Sequence, residues 1–410
     1  MPFRFIHTAD IHLDSPLRSL ALRHEGLSDL IGTATRTVFA RIIDLCLTGS
    51  VDALLIAGDL YDGSQTSMKT ARFLVGQFDR LHAAGIPAFV IRGNHDAESR
   101  ITKELVFPPS VTVFGARADV VMLDRPRPVA IHGISFARPH APDSLLDRFK
   151  APVKGAINIG MLHSSLIGAA GHDPYAPCTV ADLQATGFDY WALGHVHIRA
   201  DYPGRCRVVM PGMPQGRDVG EAGAKSVTLV SIDDDGTQTV ETRDTAVARF
   251  ERLHVDVTGV ADWRAVVDAL TAGLQDARRS LPQDHLVLRP VLTGATPLAW
   301  RVLRDLDLLR EQAVAVSDAI GSVWIDKIET ACTHGDVAGP LGDLAQMIGA
   351  AAASPAVLAA AMTEVDALLK ALPRDLRDLL GTTEADQSDA IAALMEQGAD
   401  EVLARLSGAA

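Results

Sequence analysis

The chain has 410 residues, too many for one ordinary core, and its 48% hydrophobic and 22% charged content is that of a globular protein of two or three domains. No apolar run is long enough to cross a membrane, and the start, MPFRF, lacks a charged-then-apolar leader, so no transmembrane helix and no signal peptide are expected. The net charge of −13 argues against a nucleic-acid partner only until its distribution is read: residues 341–410 hold eleven acidic and four basic residues, which leaves −6 for the first 340.

From residue 1 to about 245, apolar runs of strand length alternate with helical patterns or polar loops. FRFI (3–6), ALLIA (53–57), AFVI (88–91), VAIHGI (129–134), INIGML (157–162) and YWALG (190–194) predict buried strands, and 34–48 and 66–84 predict helices. RVVM (207–210), SVTLVSI (226–232) and QTVETR (238–243) follow as strands, with DDDG (233–236) as a hairpin turn. Near 245 the pattern restarts: FERLHVDV (250–257) reads as a strand, 261–279 as a helix, DHLVLRPVL (284–292) as a strand, 297–313 as helical and SVWIDKIET (322–330) as a closing strand. Beyond Gly335 the chain is Ala/Leu-rich and acidic, helical over 341–370 and 386–406, with Pro373 and Gly381 as interruptions. The expected domains are 1–247, 248–335 and a helical segment 336–410. Four scattered cysteines (Cys46, Cys178, Cys206, Cys332) without C-x-x-C suggest reduced thiols and a cytoplasmic protein, neither a disulfide framework nor a zinc knuckle.

The chemistry lies at strand ends. After FRFI come His7, Asp10, His12 and Asp14; after ALLIA, Asp59 and Asp62; after AFVI, Asn94, His95 and Asp96; after INIGML, His163; after YWALG, His195 and His197. Each cluster alone has a plain structural reading, since Gly-Asp and Gly-Asn make turns and a histidine beside a strand can be a satisfied core residue. Five in succession are harder to explain that way. Two divalent cations about 3.5–4 Å apart can clamp a phosphoryl group and activate a water, and they need a bridging carboxylate with neutral nitrogen and oxygen ligands around it. An imidazole-rich set suits Mn, Fe or Zn better than Ca or Mg.

The motifs D-x-H, G-D-x-x-D, G-N-H-D, a lone His and G-H-x-H, spanning Asp10 to His197, resemble the metallophosphoesterase superfamily. HTADIHLDSPL, VVMPGMPQGR and the small α/β domain that follows resemble its SbcD/YhaO branch of DNA-repair exonucleases. The resemblance implies an α/β fold, a layered β-sandwich flanked by helices, with the small domain capping the nuclease domain and helping to hold DNA. It implies that Asp10, His12 and His197 hold one metal, that Asn94, His163 and His195 hold the other, and that Asp59 bridges. Mn2+ is the expected metal, with Fe or Zn as alternatives. It makes His95 the group that protonates the leaving oxygen and Asp62 the residue that orients it. Some members of the branch carry His where this chain has Asp62, so the proton-transfer arrangement is open to difference.

His7 and His132 read as packing, Phe136 and Trp191 as core, and Asp14 as a support for the His12 loop. Arg92, Arg138, His140 and Arg217 are candidate contacts to nucleic-acid phosphates. The expected function is a two-metal DNA exonuclease or endonuclease working with an SbcC/YhaN-like coiled-coil ATPase, held through the C-terminal helices, with a second copy of the chain as a further partner. The alternative is a phosphoesterase for small-molecule or cyclic-nucleotide diesters, because such a metal centre reads a phosphate ester and little else. A non-catalytic module is the third reading, opposed by the complete ligand set.

Overall fold

The computed structural model describes residues 2–15, 25–62, 67–97, 105–166, 175–334, 340–372, 380–381 and 383–406. These divide into two compact units, Met1–Glu251 with Gln283–Val287, and Arg252–Pro282 with Leu288–Ala410. The described part of 336–410 therefore goes with the second unit.

The first unit contains β1 (Phe3–Thr8), α1 (Glu25–Thr48), β2 (Ala53–Ala57), α2 (Met68–Ala83), β3 (Ala88–Ile91), β4 (Val111–Val113), β5 (Asp119–Leu123), β6 (Val129–Gly133), β7 (Ile157–His163), α3 (Val180–Ala185), β8 (Tyr190–Gly194), β9 (Ala200–Tyr202), β10 (Arg207–Met210), β11 (Ser226–Ile232) and β12 (Gln238–Asp244). Two six-stranded sheets form, ordered β12-β11-β1-β2-β3-β4 and β5-β6-β7-β8-β10-β9. Within them β1-β2-β3-β4 and β6-β7-β8-β10 are parallel. Strands covered on both faces should be apolar throughout, and β2, β3, β6, β7 and β8 are buried at every position.

Alternation along each strand divides the core into layers. On β2, Leu54 and Ile56 face Val38, Phe39, Ile42, Leu74 and Phe78 of α1 and α2. Ala53, Leu55 and Ala57 meet Ile159, Met161, Tyr190 and Ala192 of the other sheet. Trp191 and Leu193 turn outward into a third cluster with Leu183 and Phe188. The predicted DDDG turn closes β11 onto β12, with the Asp233 amide donating to the Thr237 carbonyl at 2.9 Å.

Beyond β12 come β13 (Ala248–Asp256), α4 (Trp263–Ser280), β14 (His285–Ala295), α5 (Ala299–Arg304), α6 (Leu306–Ile320), β15 (Val323–Ile325), β16 (Glu329–Thr333), α7 (Pro340–Ala352), α8 (Pro355–Ala371) and α9 (Glu384–Leu406); Ala248–Glu251 of β13 and His285–Val287 of β14 are counted in the first unit and the rest in the second. Their sheet is ordered β13-β14-β15, with β16 parallel to β14. SVWIDKIET, expected as one strand, makes two, β15 and the start of β16. The helix expected over 341–370 is broken at Ser354, whose hydroxyl caps the start of α8 while Pro355 takes the first turn. Pro373 lies outside the described residues. The acidic tail packs back on its own unit: Trp300 of α5 is buried with Leu403 and Ala404 of α9, and Leu344 and Ile348 of α7 lie against them. No single described helix is long and apolar enough to cross a membrane; α7 and α8 meet that length and composition only as a pair bent by 59°.

Candidate metal centre

The five predicted clusters all leave the carboxyl ends of parallel strands, β1, β2 and β3 in one sheet and β7 and β8 in the other, where layered α/β folds place their sites. The loops after β1 and β2 are tied together: the Asp10 amide donates to Gly58 at 3.1 Å, His12 to Asp59 at 3.0 Å and Leu13 to Leu60 at 2.9 Å. Four of the expected ligands have left-handed backbone, Asp10 (φ 52°), His12 (45°), Asp59 (51°) and His195 (103°). Non-glycine residues pay for that conformation, and such outliers gather at functional sites.

The donor atoms converge. Asp10, His12 and His197 form one group, and Asp10, Asp59 and His163 another, each with ligand atoms within 4.8 Å of one another. His12 Nε2 and His197 Nε2 face each other at 3.2 Å. Asn94 Oδ1 lies 3.0 Å from His163 Nε2 and 3.2 Å from His195 Nδ1. Asp59 Oδ2 is 3.4 Å from His163 Nε2. Asp10, His12, Asp59 and His163 are fully buried. Burial raises the Asp10 carboxyl to about 6 and lowers the His12 imidazole to about 3. Burial also opposes charge on Asp59 and His163, but their mutual attraction wins, holding Asp59 below the usual carboxylate range and lifting His163 to about 9. Two buried carboxylates among inward-facing imidazoles are costly without cations and apt with them, so the donor set fits a metal pair.

Glycine before the ligand is needed for space. A Cβ on Gly93 would lie 2.3 Å from Asp59 Oδ1 and 2.6 Å from the His163 ring, and one on Gly58 (φ +98°) 2.3 Å from His163 Nδ1. Gly93→Ala is therefore expected to cost about 1–3 kcal/mol by overpacking and to lower metal content with it. Denaturant unfolding and metal analysis check this; a variant of wild-type stability holding its full metal would refute it.

His95 groups with His12 and Asp62, their candidate ligand atoms within 4.8 Å of one another, and its ring centroid lies 4.9 Å from that of His12. Its side chain is 42% exposed, and its Nδ1 lies 2.9 Å from Asp62 Oδ1, while the other Asp62 oxygen accepts from the Ser15 hydroxyl at 2.7 Å. The bond to His95 holds the Asp62 carboxyl well below its usual range, and the same bond raises the His95 imidazole. The Asp59 side chain accepts the His95 amide at 3.0 Å, which fixes the loop.

Other predicted residues fall as follows. His7 is buried between the Tyr190 hydroxyl (3.0 Å) and the Leu193 carbonyl (2.9 Å), and His132 faces Asn158 Oδ1 at 3.0 Å. Phe136 is core, edge-on to His163, and Trp191 is fully buried. Asp14 accepts both Arg36 Nε (2.7 Å) and the Thr70 hydroxyl, which ties the His12 loop to α1 and α2. Arg138 and His140 are exposed, His140 against the Tyr175 ring, and the buried Nε of Arg92 has no hydrogen-bond partner among the described residues. Arg217 is held in a fork by Glu221, with Nη2 to Oε1 at 2.6 Å and Nε to Oε2 at 3.2 Å.

Two residues near the site, Glu221 and Tyr175, were not singled out in the sequence, and Asp96 of the G-N-H-D motif was given no role there. Glu221 Oε1 lies 2.9 Å from His197 Nδ1. Asp96, raised to about 7 by burial, accepts the amides of Leu60 (2.9 Å) and Gly93 (2.6 Å) and so joins the loops after β2 and β3. The Tyr175 ring is tilted over His195 at 5.0 Å.

Two family descriptions match the chain: Calcineurin-like phosphoesterase over residues 3–199, and Metallophosphoesterase YhaO, middle domain, over residues 250–333. The Uncharacterized metallophosphoesterase YhaO of Bacillus subtilis is 33% identical over 300 residues, 72% of each chain. The DNA double-strand break repair protein Mre11 of Sulfurisphaera tokodaii is 28% identical over 206 residues, 48% of this chain and 49% of its own. Mre11 of Saccharolobus solfataricus is 26% identical over 205 residues, 48% and 50% respectively. The chain thus matches about half the length of these Mre11 relatives.

Proposed function

The chain belongs to the calcineurin-like metallophosphoesterases, in the group of YhaO, and from that premise we propose that it is a two-metal phosphodiesterase acting on DNA. The observation that carries the reading is the His95–Asp62 pair, with His95 exposed, next to the convergent donors Asp10, His12, Asp59, His163 and His197. Asp10, His12 and His197 would hold one cation, Asn94, His163 and His195 the other, and Asp59 both. Bound there, Mn2+ would polarise the phosphodiester and supply a nucleophilic water. With Nδ1 engaged by Asp62, His95 presents Nε2 to protonate the leaving oxygen. Arg92, Arg138 and His140 are the candidate phosphate contacts; Arg217 is committed to Glu221.

Two observations favour DNA over a small diester. The Mre11 relatives carry double-strand break repair in their names, and a second unit with its own sheet is more than a small-molecule esterase requires. The test is digestion of linear duplex DNA, single-stranded circles and bis-p-nitrophenyl phosphate with Mn, Mg or Zn. Mn-dependent loss of linear duplex is expected. Hydrolysis of the small ester with all DNA intact would favour the small-diester alternative, and inactivity on every substrate with every metal would sink the reading.

The partner we propose is a coiled-coil ATPase of the SbcC/YhaN type, in the cytoplasm. Support comes from the tail, which beyond its self-packing exposes Met347 (69%), Leu368 (62%) and Leu394 (49%). Leu341, on the same helical face in the sequence, has a side chain outside the described residues. Met347→Glu with Leu368→Glu is expected to abolish co-purification with the ATPase while leaving diester hydrolysis unchanged. Undiminished co-purification would rule this surface out.

A further inference from the structure

Within the Asp10–His12–His197 group, the two imidazoles differ on their outer sides. His12 Nδ1 is buried with no hydrogen-bond partner, and its nearest carboxylate, Asp62, is 4.0 Å away. His197 Nδ1 meets a carboxylate, Glu221 Oε1, at 2.9 Å. An ionised carboxylate only accepts, so the His197 proton belongs on Nδ1 and the lone pair on Nε2, the nitrogen facing His12 Nε2 at 3.2 Å. Arg217 Nη2 also lies 3.4 Å from His197 Nδ1, but the shorter contact, to a carboxylate oxygen that can only accept, determines the proton's place.

Glu221 is itself fixed. It ends a one-turn 3-10 helix, Val219–Glu221, whose start is capped by Asp218 accepting the Gly220 amide at 2.7 Å. Its Oε2 accepts the Arg217 amide at 2.8 Å, and the Arg217 guanidinium grips both oxygens. On the other side of the centre, His163 is oriented by a neutral group, with Nδ1 2.9 Å from the Ala57 carbonyl.

We propose that Glu221, clamped by Arg217, is a positioning residue that locks His197 in the tautomer presenting Nε2 to a metal, and so sets the affinity of the Asp10–His12–His197 position without affecting the other. The inference rests on the two-cation reading. An outer carboxylate that orients a metal-binding imidazole also raises its basicity, and losing one typically weakens binding by about 10–100-fold.

The test is Mn2+ titration of the full-length, metal-stripped protein by calorimetry, with metal counted after dialysis. Wild type is expected to bind two ions. Glu221→Ala should weaken one by about 10–100-fold and leave the other at wild-type affinity. Glu221→Gln keeps an oxygen that accepts from Nδ1–H and should recover most of the loss, which a merely structural role for the side chain would not predict. Arg217→Ala, which loosens the clamp but keeps the carboxylate, should weaken the same ion by less. Circular dichroism of the stripped proteins checks folding, and the Gln and Arg217 variants decide the matter should Glu221→Ala not fold. Two ions at wild-type affinity in Glu221→Ala, equal weakening of both ions, or no difference between the Gln and Ala variants would overturn the proposal. Fewer than two ions in wild type would instead overturn the two-cation reading.

Discussion

Replacing Asp59 with asparagine is expected to empty both metal positions and to slow phosphodiester hydrolysis by about 10³-fold or more, the scale seen when electrostatic stabilisation of a transition state is lost. Asp59 leaves the end of β2 with left-handed backbone and is almost fully buried. Its carboxylate groups with Asp10 and His163, which come from different sheets, while Asp10 also groups with His12 and His197, so the bridging role proposed for Asp59 rests on the family resemblance and on its place between the two sheets. Asparagine keeps the shape and the oxygen that accepts the His95 amide, so the loop should stay folded. It loses the negative charge and turns an NH2 group toward the position of a cation. The check is metal content together with the rate on bis-p-nitrophenyl phosphate, with circular dichroism confirming the fold. Two bound metals and a wild-type rate in Asp59→Asn would exclude Asp59 as the bridge.

The path from sequence to site was short because of how parallel strands are built. ALLIA and YWALG are buried on both faces, so each reads as an unbroken apolar run, and the polar residues that follow mark its carboxyl end. What escaped notice lacks such a signal. β4 is three half-buried residues, and β5, with Asp119 and Met122 exposed and its other positions half-buried, shows no regular alternation. Glu221 lies 24 residues beyond His197 on a one-turn helix, and only the folded chain brings them together. Arg217 resembled a free phosphate contact because a sequence does not reveal which surface cations already have partners; its partner is four residues further on. Asp14 lies beside the cluster in sequence, yet its side chain points to Arg36 and Thr70. In the tail, apolar residues at helical spacing indicated that a face must be covered, and the choice of Trp300 to cover part of it depends on a contact about 100 residues away.

His95→Ala is expected to separate proton transfer from metal binding, and the separation should depend on the leaving group. His95 directs Nδ1 to Asp62; it groups with His12 and Asp62 but not with the donors around Asp59 and His163 or with Asp10 and His197, so both metals should remain. Loss of a general acid costs about 10²–10⁴ in rate when the leaving oxygen is strongly basic, as the sugar alkoxide of DNA is. p-Nitrophenolate is weakly basic and departs with little protonation, so the same variant should lose far less on bis-p-nitrophenyl phosphate. Asp62→Asn extends the test to pH. The bond to Asp62 raises the His95 imidazole, so in wild type the ring stays protonated to higher pH. Without that charge the ring releases its proton earlier, and the alkaline limb of the DNA-cleavage profile should move to lower pH. Rate profiles on both substrates, with metal content measured on the same preparations, check the outcome. Equal losses on the two esters would show that His95 acts on binding or on metal rather than on the leaving oxygen, and an unmoved alkaline limb in Asp62→Asn would show that its protonation does not limit the rate.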